Sequence, residues 1–202
     1  VTSWNTLITG YLQHGLGERV LKCFMKMKDE GISPNVITFV CALNACGSLG
    51  CLRMGEEIYA KVFKLGILNE NIILGNALVD MYVKCRMLRK AREVLDSLFG
   101  RNISSWNTLI TGYVQHGLVD EALTSFRQMQ DEGITPNLVT FTCILKACGT
   151  LGNLERGEEV HMDIVKRGLN EEILIGNNLL DMYAKCGSIA NAQETFHKLP
   201  GR

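Results

Sequence analysis

The chain has 202 residues, with 21 basic and 21 acidic side chains, so its formal net charge is zero. Hydrophobic residues make up 47% of it, which is enough apolar content for a packed core and argues against a disordered chain. A neutral chain is not a simple polycation that binds nucleic acid or anionic lipid through phosphate neutralisation alone. No apolar run approaches the length of a membrane-spanning helix, so we expect no membrane partner.

The first 35 residues predict two helices joined by a short turn. Apolar residues recur at helical spacing in the opening segment, and Gly15 follows as a candidate C-terminal cap. This first stripe consists of Trp4, Leu7, Ile8 and Tyr11. A second stripe ends at Gly31 and Pro34, which are typical stop signals. It consists of Val20, Leu21, Phe24 and Met25.

The next two segments repeat the plan of a helix, a break and a second helix. The second pair carries stripes at Phe39, Leu43 and Cys46, and then at Ile58, Val62 and Leu65. The third and shorter pair carries stripes at Leu78, Val79 and Tyr82, and then at Ala91, Val94 and Leu95. No stretch of the sequence alternates strictly between apolar and polar residues, so we expect no strands.

The whole unit of about 100 residues then occurs a second time. SWNTLITGY stands at residues 3–11 and again at 105–113, and DMY stands at 80–82 and at 181–183. Because each helix pair leaves an apolar face that it cannot bury alone, neighbouring pairs must stack. The sequence therefore predicts an all-α chain in which six antiparallel helix pairs form one elongated solenoid over residues 1–202. Neither end carries a polar capping helix, so we also expect self-association through the ends.

Neither the eight cysteines nor the four histidines form the spacing of a metal site or a catalytic centre. No Cys-x-x-Cys pair and no His-x-Glu pair occurs. We expect reduced cysteines that act as small core hydrophobes, no metal, no cofactor and no enzyme activity.

Three sequence strings, in a fixed order, resemble the repeat motifs of a known family. They are VTSWNTLITGYLQHG, GISPNVITFVCALNACGSLG and LGNALVDMYVKC, and the series recurs in the second unit. The chain resembles pentatricopeptide repeat proteins of the plant class in which P, L and S motifs alternate. This resemblance implies a right-handed superhelical solenoid with repeats at residues 1–35, 36–71, 72–102, 103–137, 138–172 and 173–202.

Tetratricopeptide repeats share the helical period, and they are the alternative. Trp4, Leu7 and Tyr11 fit their spacing, as do Ala122, Phe126 and Pro136, but Ile8 and Ile110 replace the glycine of that pattern. A scaffold of this type would hold a peptide in its groove. A protein-interaction spacer is a third reading.

The pentatricopeptide resemblance implies that the chain binds single-stranded RNA, one base per repeat. In that family the fifth residue of a motif faces the base edge, the last residue assists it, and the second residue packs against base faces. The fifth positions are Asn5, Val40, Asn76, Asn107, Thr142 and Asn177. The last positions are Asn35, Asn71, Asn102, Asn137 and Glu172, and the second positions are Thr2, Ile37, Ile73, Ser104, Val139 and Leu174.

An asparagine amide offers a donor and an acceptor and can be turned either way, so an Asn/Asn pair should accept both pyrimidines. We therefore expect pyrimidines at the P and S repeats and no readable preference at the L repeats, where Val40 and the Thr142/Glu172 pair depart from the pattern. Asparagine also caps helices, so each of these residues has a purely structural alternative. Trp4 and Trp106 lie on apolar stripes and are interpreted as core residues rather than stacking platforms.

Charge is absent from the first helices of the P repeats, Thr2–His14 and Ser104–His116. The candidate phosphate contacts are therefore few, namely Lys84, Arg86 and Lys185, and we expect a modest salt dependence of RNA binding. The family implies a mitochondrion or chloroplast and a role in RNA editing or processing. Any deaminase chemistry would belong to editing cofactor proteins or to an appended domain of the parent protein.

Overall fold

The computed structural model describes residues 1–68, 70–170 and 172–199, and these residues form twelve α-helices with no strand among them. The helices are α1 Thr2–Gln13, α2 Gly17–Asp29, α3 Val36–Leu49, α4 Leu52–Lys64, α5 Ile72–Lys84, α6 Leu88–Ser97, α7 Ile103–Gln115, α8 Val119–Asp131, α9 Leu138–Leu151, α10 Leu154–Lys166, α11 Ile173–Lys185 and α12 Ile189–Lys198. The prediction of an all-α chain built from helix pairs is confirmed.

Each predicted repeat holds one helix pair, and its first helix begins at or next to the predicted boundary. The end of the sixth repeat, residues 200–202, lies outside the described residues. Two compact units are present, Val1–Leu109 and Ile110–Arg202. One continuous solenoid over all six repeats stays a prediction.

The first helices of successive pairs pack side by side within each unit. In the first unit α3 contacts both α1 and α5, and in the second unit α9 contacts α11. The second helices α2, α4 and α10 each pack against their own first helix and against the first helix of the next pair, as α2 does with α1 and α3. Within each unit the first helices therefore form one layer and the second helices another.

Most residues of the predicted stripes are buried in the core, but Trp4 and Tyr11 are half-buried and three others are exposed. Phe24 lies 6.2 Å from Phe39, and Phe126 lies 6.1 Å from Phe141, so the two units repeat the same ring contact. The interpretation of Trp106 as a core residue is confirmed, because its side chain is fully buried. The exposed ones are Leu7, Met25 and Leu65, at 43%, 42% and 54%.

Helix ends follow the glycines. Nine glycines adopt a left-handed conformation with φ between 66° and 75°, which relieves the strain that a Cβ would cause at the end of a helix. Arg86 is the exception among the described residues, because it adopts φ 60° with a full side chain. Its counterpart in the second copy is Gly187, with φ 75°.

The eight cysteines carry free thiols, and Cys41, Cys46 and Cys148 are buried. Burial raises the pKa of the Cys46 thiol to about 12 and that of Cys148 to about 11. These two thiols therefore stay protonated at neutral pH, which suits the predicted role of a small core hydrophobe.

Candidate functional site

A cavity of about 640 Å³ opens beside α1 in the first unit. Its wall includes the second, fifth and last residues of the first repeat and the second residue of the next repeat. The lining residues are Thr2, Asn5, Thr6, Thr9, Gly10, Gln13, Asn35 and Ile37. None of these side chains is charged. The structure thus brings together, at one uncharged cavity, four residues that lie up to 35 positions apart in the sequence.

Asn5 and Asn35 meet directly in this cavity. The Asn5 amide Nδ2 donates to Asn35 Oδ1 at 3.0 Å, and the Thr38 hydroxyl donates to Asn5 Oδ1 at 2.7 Å. Asn5 is only 9% exposed, so it lies deeper than a residue that simply faces solvent. The amide of Asn5 is therefore held by two neighbours in the chain without RNA, whereas the sequence argument treats it as free to turn either way.

The third repeat contains a similar arrangement. The Ser105 hydroxyl donates to Asn76 Oδ1 at 2.6 Å, and the Ser105 backbone N–H donates to Asn102 Oδ1 at 3.0 Å. Asn76 and Asn102 are the predicted fifth and last residues of this repeat. A fifth residue, a last residue and a hydroxyl from the following repeat thus occur together twice in the first unit.

The last residues also cap the helices that follow them. The Asn35 side chain accepts a hydrogen bond from the Thr38 backbone N–H at 3.1 Å, and Thr38 Oγ1 accepts from the Asn35 backbone N–H at 3.2 Å. Asn137 forms the same reciprocal box with Thr140, and Asn71 caps α5 through the Leu74 backbone N–H at 3.1 Å. Capping, the structural alternative for these asparagines, is therefore confirmed. It leaves the amide Nδ2 atoms for other contacts.

Glu172 departs from this pattern, because it stands at the start of α11 and its side chain makes no capping hydrogen bond. Val40 is half-buried and offers no polar atom to a base edge. Thr142 accepts a hydrogen bond from Asn178 Nδ2 at 3.4 Å. The two L repeats, which gave no readable pattern in the sequence, thus also lack the asparagine arrangement of the first and third repeats.

All six second positions are exposed. The four apolar ones are more than half exposed: Ile37 at 53%, Ile73 at 63%, Val139 at 53% and Leu174 at 55%. An exposed aliphatic side chain at the start of a helix is available to pack against a flat apolar face. Asn177 is exposed and Asn107 is half-buried.

The candidate phosphate contacts differ in their availability. Lys84 pairs with Asp80 at 2.7 Å and Lys185 pairs with Asp181 at 2.6 Å, each one helical turn apart. Both lysines are therefore partly neutralised by an adjacent carboxylate. The Arg86 guanidinium is exposed and has no ion-pair partner among the described residues.

Thr38 and Ser105 are the residues that the sequence reasoning missed. Their signal was nevertheless visible as Asn-x-x-Thr at 35–38 and 137–140 and Asn-x-x-Ser at 102–105. This spacing is that of a capping box, in which the hydroxyl at the third helical residue faces back to the cap. The same spacing places that hydroxyl beside the fifth residue of the preceding repeat.

Within the described part of the chain, no group of three or more His, Cys, Asp and Glu side chains is arranged to hold a metal ion. No helix there is both long and apolar enough to cross a membrane.

Two family models match most of the chain. The model of the PPR repeat family matches residues 1–48 and 101–150, and the model of the PPR repeat matches residues 76–103 and 139–169. A pentatricopeptide repeat-containing protein of Arabidopsis thaliana is 38% identical over 200 residues, which cover 99% of this chain and 27% of that protein.

Two further relatives of the same plant carry an organelle in their names. A chloroplastic one is 38% identical over 202 residues, covering 100% of this chain and 25% of that protein. A mitochondrial one is 33% identical over 199 residues, covering 98% of this chain and 36% of that protein. The chain therefore spans between 25% and 36% of the length of the three relatives described here.

Solved structures support the fold. The crystal structure of the pentatricopeptide repeat protein PPR10 from maize matches with a TM-score of 0.71 at 21% identity, covering 98% of this chain and 30% of that one. The same protein in complex with an 18-nt psaJ RNA element matches with a TM-score of 0.69 at 23% identity, covering 100% of this chain and 30% of that one.

Proposed function

Because the chain belongs to the pentatricopeptide repeat family, we propose that it binds single-stranded RNA, one base per repeat, with pyrimidines preferred at the first, third, fourth and sixth repeats. The observation that carries this proposal is the uncharged cavity at Asn5. A second residue, a fifth residue, a last residue and the next second residue all line it. These are the residue types needed to flank a flat base and to hydrogen-bond its edge.

A base in this cavity would lie between the side chains of Thr2 and Ile37, and its edge would face the amides of Asn5 and Asn35. Ile37, 53% exposed without RNA, would lose contact with water on stacking against the base. The amide N–H groups would supply the hydrogen bonds. Affinity would come mainly from these neutral contacts, because no charged side chain lines the cavity.

The parent protein is proposed to act on organellar transcripts. The relatives named chloroplastic and mitochondrial support this localisation, and the order of three motif types supports the class in which P, L and S motifs alternate, with six repeats in this chain. Editing or processing chemistry is proposed to lie with partner proteins or with an appended deaminase domain, and this chain supplies RNA recognition.

The proposal is tested by fluorescence anisotropy with short RNAs that vary at the nucleotide facing the first repeat. Asn35→Asp replaces the outward N–H donors of Asn35 with a carboxylate oxygen, which accepts a hydrogen bond from uracil N3–H. We expect the preference to move toward uracil by about fivefold, the equivalent of one hydrogen bond of about 1 kcal/mol.

Asn153→Asp is the matched control for that change. Asn153 also caps a helix, since its side chain accepts from the Arg156 backbone N–H at 3.1 Å, but it begins a second helix and does not line the cavity. The control should leave the base preference unchanged. An equal effect of the two variants, or no RNA binding by the unaltered chain, would contradict the proposal.

Salt dependence provides a second test. A groove that reads bases through neutral amides should release fewer than about four ions on binding, as measured by the slope of log affinity against log salt concentration. A steep slope would show that phosphate contacts dominate instead.

A further inference from the structure

We propose that Thr38 and Ser105, each the third residue of a repeat, are positioning residues for base selection by the repeat before them. Each hydroxyl donates to the oxygen of the fifth-position amide and so occupies it, which leaves only N–H donors to face the base. This inference rests on the proposed RNA binding and deepens it, because it names the group that sets the preference between the two pyrimidines.

The orientation of the amides follows from one backbone donor. The Thr38 backbone N–H can only donate, and it lies 3.1 Å from Asn35 Oδ1, which fixes the Asn35 amide. Asn35 Oδ1 can only accept, so the atom of Asn5 that lies 3.0 Å from it must be the Nδ2 donor. Turning the Asn5 amide over would place two carbonyl oxygens against each other with no proton between them.

The Thr38 hydroxyl completes this arrangement. It accepts from the Asn35 backbone N–H and directs its single proton to Asn5 Oδ1 at 2.7 Å, which is closer than the alternative acceptor, Asn35 Oδ1, at 3.0 Å. The oxygen of the Asn5 amide is thereby occupied on the protein side. Without this hydroxyl, Asn5 Oδ1 would lose its donor and would be free to seek one on the RNA.

Only donors then remain for the base. Asn5 Nδ2 keeps one N–H, and Asn35 Nδ2 keeps two, since it has no hydrogen-bond partner among the described residues. Cytosine presents two adjacent acceptors, N3 and O2, on its Watson–Crick edge. Uracil has an N3–H donor between its two carbonyl oxygens, so one of the asparagine N–H donors would face another donor there, which is unfavourable. The first repeat should therefore prefer cytosine to uracil.

The third repeat shares the hydroxyl contact, with serine in place of threonine. The Ser105 hydroxyl lies 2.6 Å from Asn76 Oδ1, and the Ser105 backbone N–H fixes the Asn102 amide at 3.0 Å. The two sites differ in sequence, Asn-x-x-Thr in one and Asn-x-x-Ser in the other, so the shared feature is the hydroxyl itself.

The chain contains five junctions between successive repeats. Among them, a hydroxyl at the third residue of the later repeat occurs only where the fifth residue of the earlier one is an asparagine. Asparagine at the fifth position is followed by a hydroxyl in the next repeat: Asn5 by Thr38, Asn76 by Ser105 and Asn107 by Thr140. The other two fifth residues are followed by an aliphatic side chain: Val40 by Leu74 and Thr142 by Ile175. A hydroxyl needed only for capping would have no reason to depend on the fifth residue of the preceding repeat.

The test compares Thr38→Val with Thr38→Ser in the full chain. Valine keeps the shape and the backbone N–H but removes the hydroxyl, whereas serine keeps the hydroxyl. With RNAs that differ only in cytosine or uracil at the first repeat, we expect a preference for cytosine of about fivefold in the unaltered chain. It should fall below about twofold in Thr38→Val and persist in Thr38→Ser.

Stability is controlled with Asn153→Ala, which removes a helix cap in the second unit at a residue that does not line the cavity, and which should leave the cytosine preference intact. Ser105→Ala repeats the test at the third repeat should Thr38→Val fail to fold. A preference for cytosine that persists in Thr38→Val would overturn the inference while leaving the proposed RNA binding in place. No binding by the unaltered chain would overturn the proposed function itself.

A measurement without RNA further separates failure of this inference from failure of the proposed RNA binding. In the NMR spectrum of the free chain, the Asn5 side-chain amide protons should give one sharp, slowly exchanging pair, and Thr38→Val should broaden it or speed its exchange. An unchanged Asn5 amide in Thr38→Val would also overturn the inference.

Discussion

The two copies of the 100-residue unit share the string SWNTLITGY from their third residue onward, yet those nine residues have different surroundings. Trp106 is fully buried and Leu109 with it, whereas Trp4 is half-buried and Leu7 is 43% exposed. The Arg92 guanidinium lies 5.3 Å from the Trp106 ring, and it belongs to α6, the helix before. Among the described residues, α1 contacts α2 and α3, which both follow it in the chain. Burial in a repeat protein is therefore decided by the neighbouring repeat as much as by the sequence of the repeat itself.

The largest expected difference between the copies is the effect of removing the tryptophan. Trp106→Ala should lower the free energy of unfolding by about 3–5 kcal/mol, because it leaves a cavity in a packed core. Trp4→Ala should lower it by only about 1–2 kcal/mol, because part of its surface already faces water. Urea midpoints of the two variants measure the difference. Equal losses would show that neighbour packing does not set the contribution of this residue.

The caps of α5 and α11 offer a second comparison. Asn71 accepts from the Leu74 backbone N–H, whereas Glu172 makes no such bond. Asn71→Ala should lower stability by about 1 kcal/mol, and Glu172→Asn should raise it by a similar amount. Thermal denaturation of both variants tests this expectation. A loss of stability in Glu172→Asn would mean that attraction of the carboxylate to the helix dipole outweighs the cap.

Arg86 and Gly187 provide a third comparison, with a somewhat smaller effect. Arg86 carries a side chain at φ 60°, where its counterpart in the second copy is glycine at φ 75°. Arg86→Gly should raise the free energy of unfolding by about 0.5–1 kcal/mol, and Gly187→Ala should lower it by a similar amount. Guanidinium denaturation measures both. The reverse sign for Arg86→Gly would indicate that the arginine side chain contributes more than its backbone strain costs.

The smallest expected difference between the two copies is in how their contribution to stability depends on pH. His161 donates to or accepts from the Tyr183 hydroxyl at 2.8 Å, and burial lowers the pKa of His161 below 6.5, helped by Lys198 and opposed by Glu194 and Glu158. The unfolded chain then binds a proton more readily, so stability should fall as the pH drops below 6.5.

The equivalent residue in the first copy is Tyr59, which packs edge-on against Tyr82 at 6.2 Å. His161→Tyr should therefore remove part of the loss of stability between neutral and mildly acidic pH. Thermal melts of both chains over that pH range test this expectation. Identical pH profiles would show that the His161 contact carries no proton linkage.

The helices and their ends were largely predictable from the sequence. Apolar stripes gave the positions of the helices, and glycines such as Gly15 and Gly31 gave their ends, because both signals act within one or two turns. Leu7 and Leu65 were predicted to be buried and are not, because burial depends on packing partners that the periodicity of one helix does not specify.

The candidate site was predictable in position but not in geometry. The resemblance placed Asn5 and Asn35 in the same repeat, and the structure brings their amides to 3.0 Å. The orientation of these amides depends on a backbone N–H and a hydroxyl of Thr38, 33 residues after Asn5 in the chain. A pattern within one repeat cannot contain that information, because the hydrogen bonds cross to the next one.

The box of hydrogen bonds between Asn35 and Thr38 gives one residue two tasks, since Asn35 lines the cavity and also begins α3. Under the proposed RNA binding, a substitution that changes the base preference at Asn35 also changes the start of the next helix. The residues that suit this position are those whose side chains cap a helix well, namely Asn, Asp, Ser and Thr. A repeat protein redesigned with only these residues at its last positions should retain its thermal stability. Larger or aliphatic residues at the last position would remove the helix cap, and each substituted repeat would lower the free energy of unfolding further.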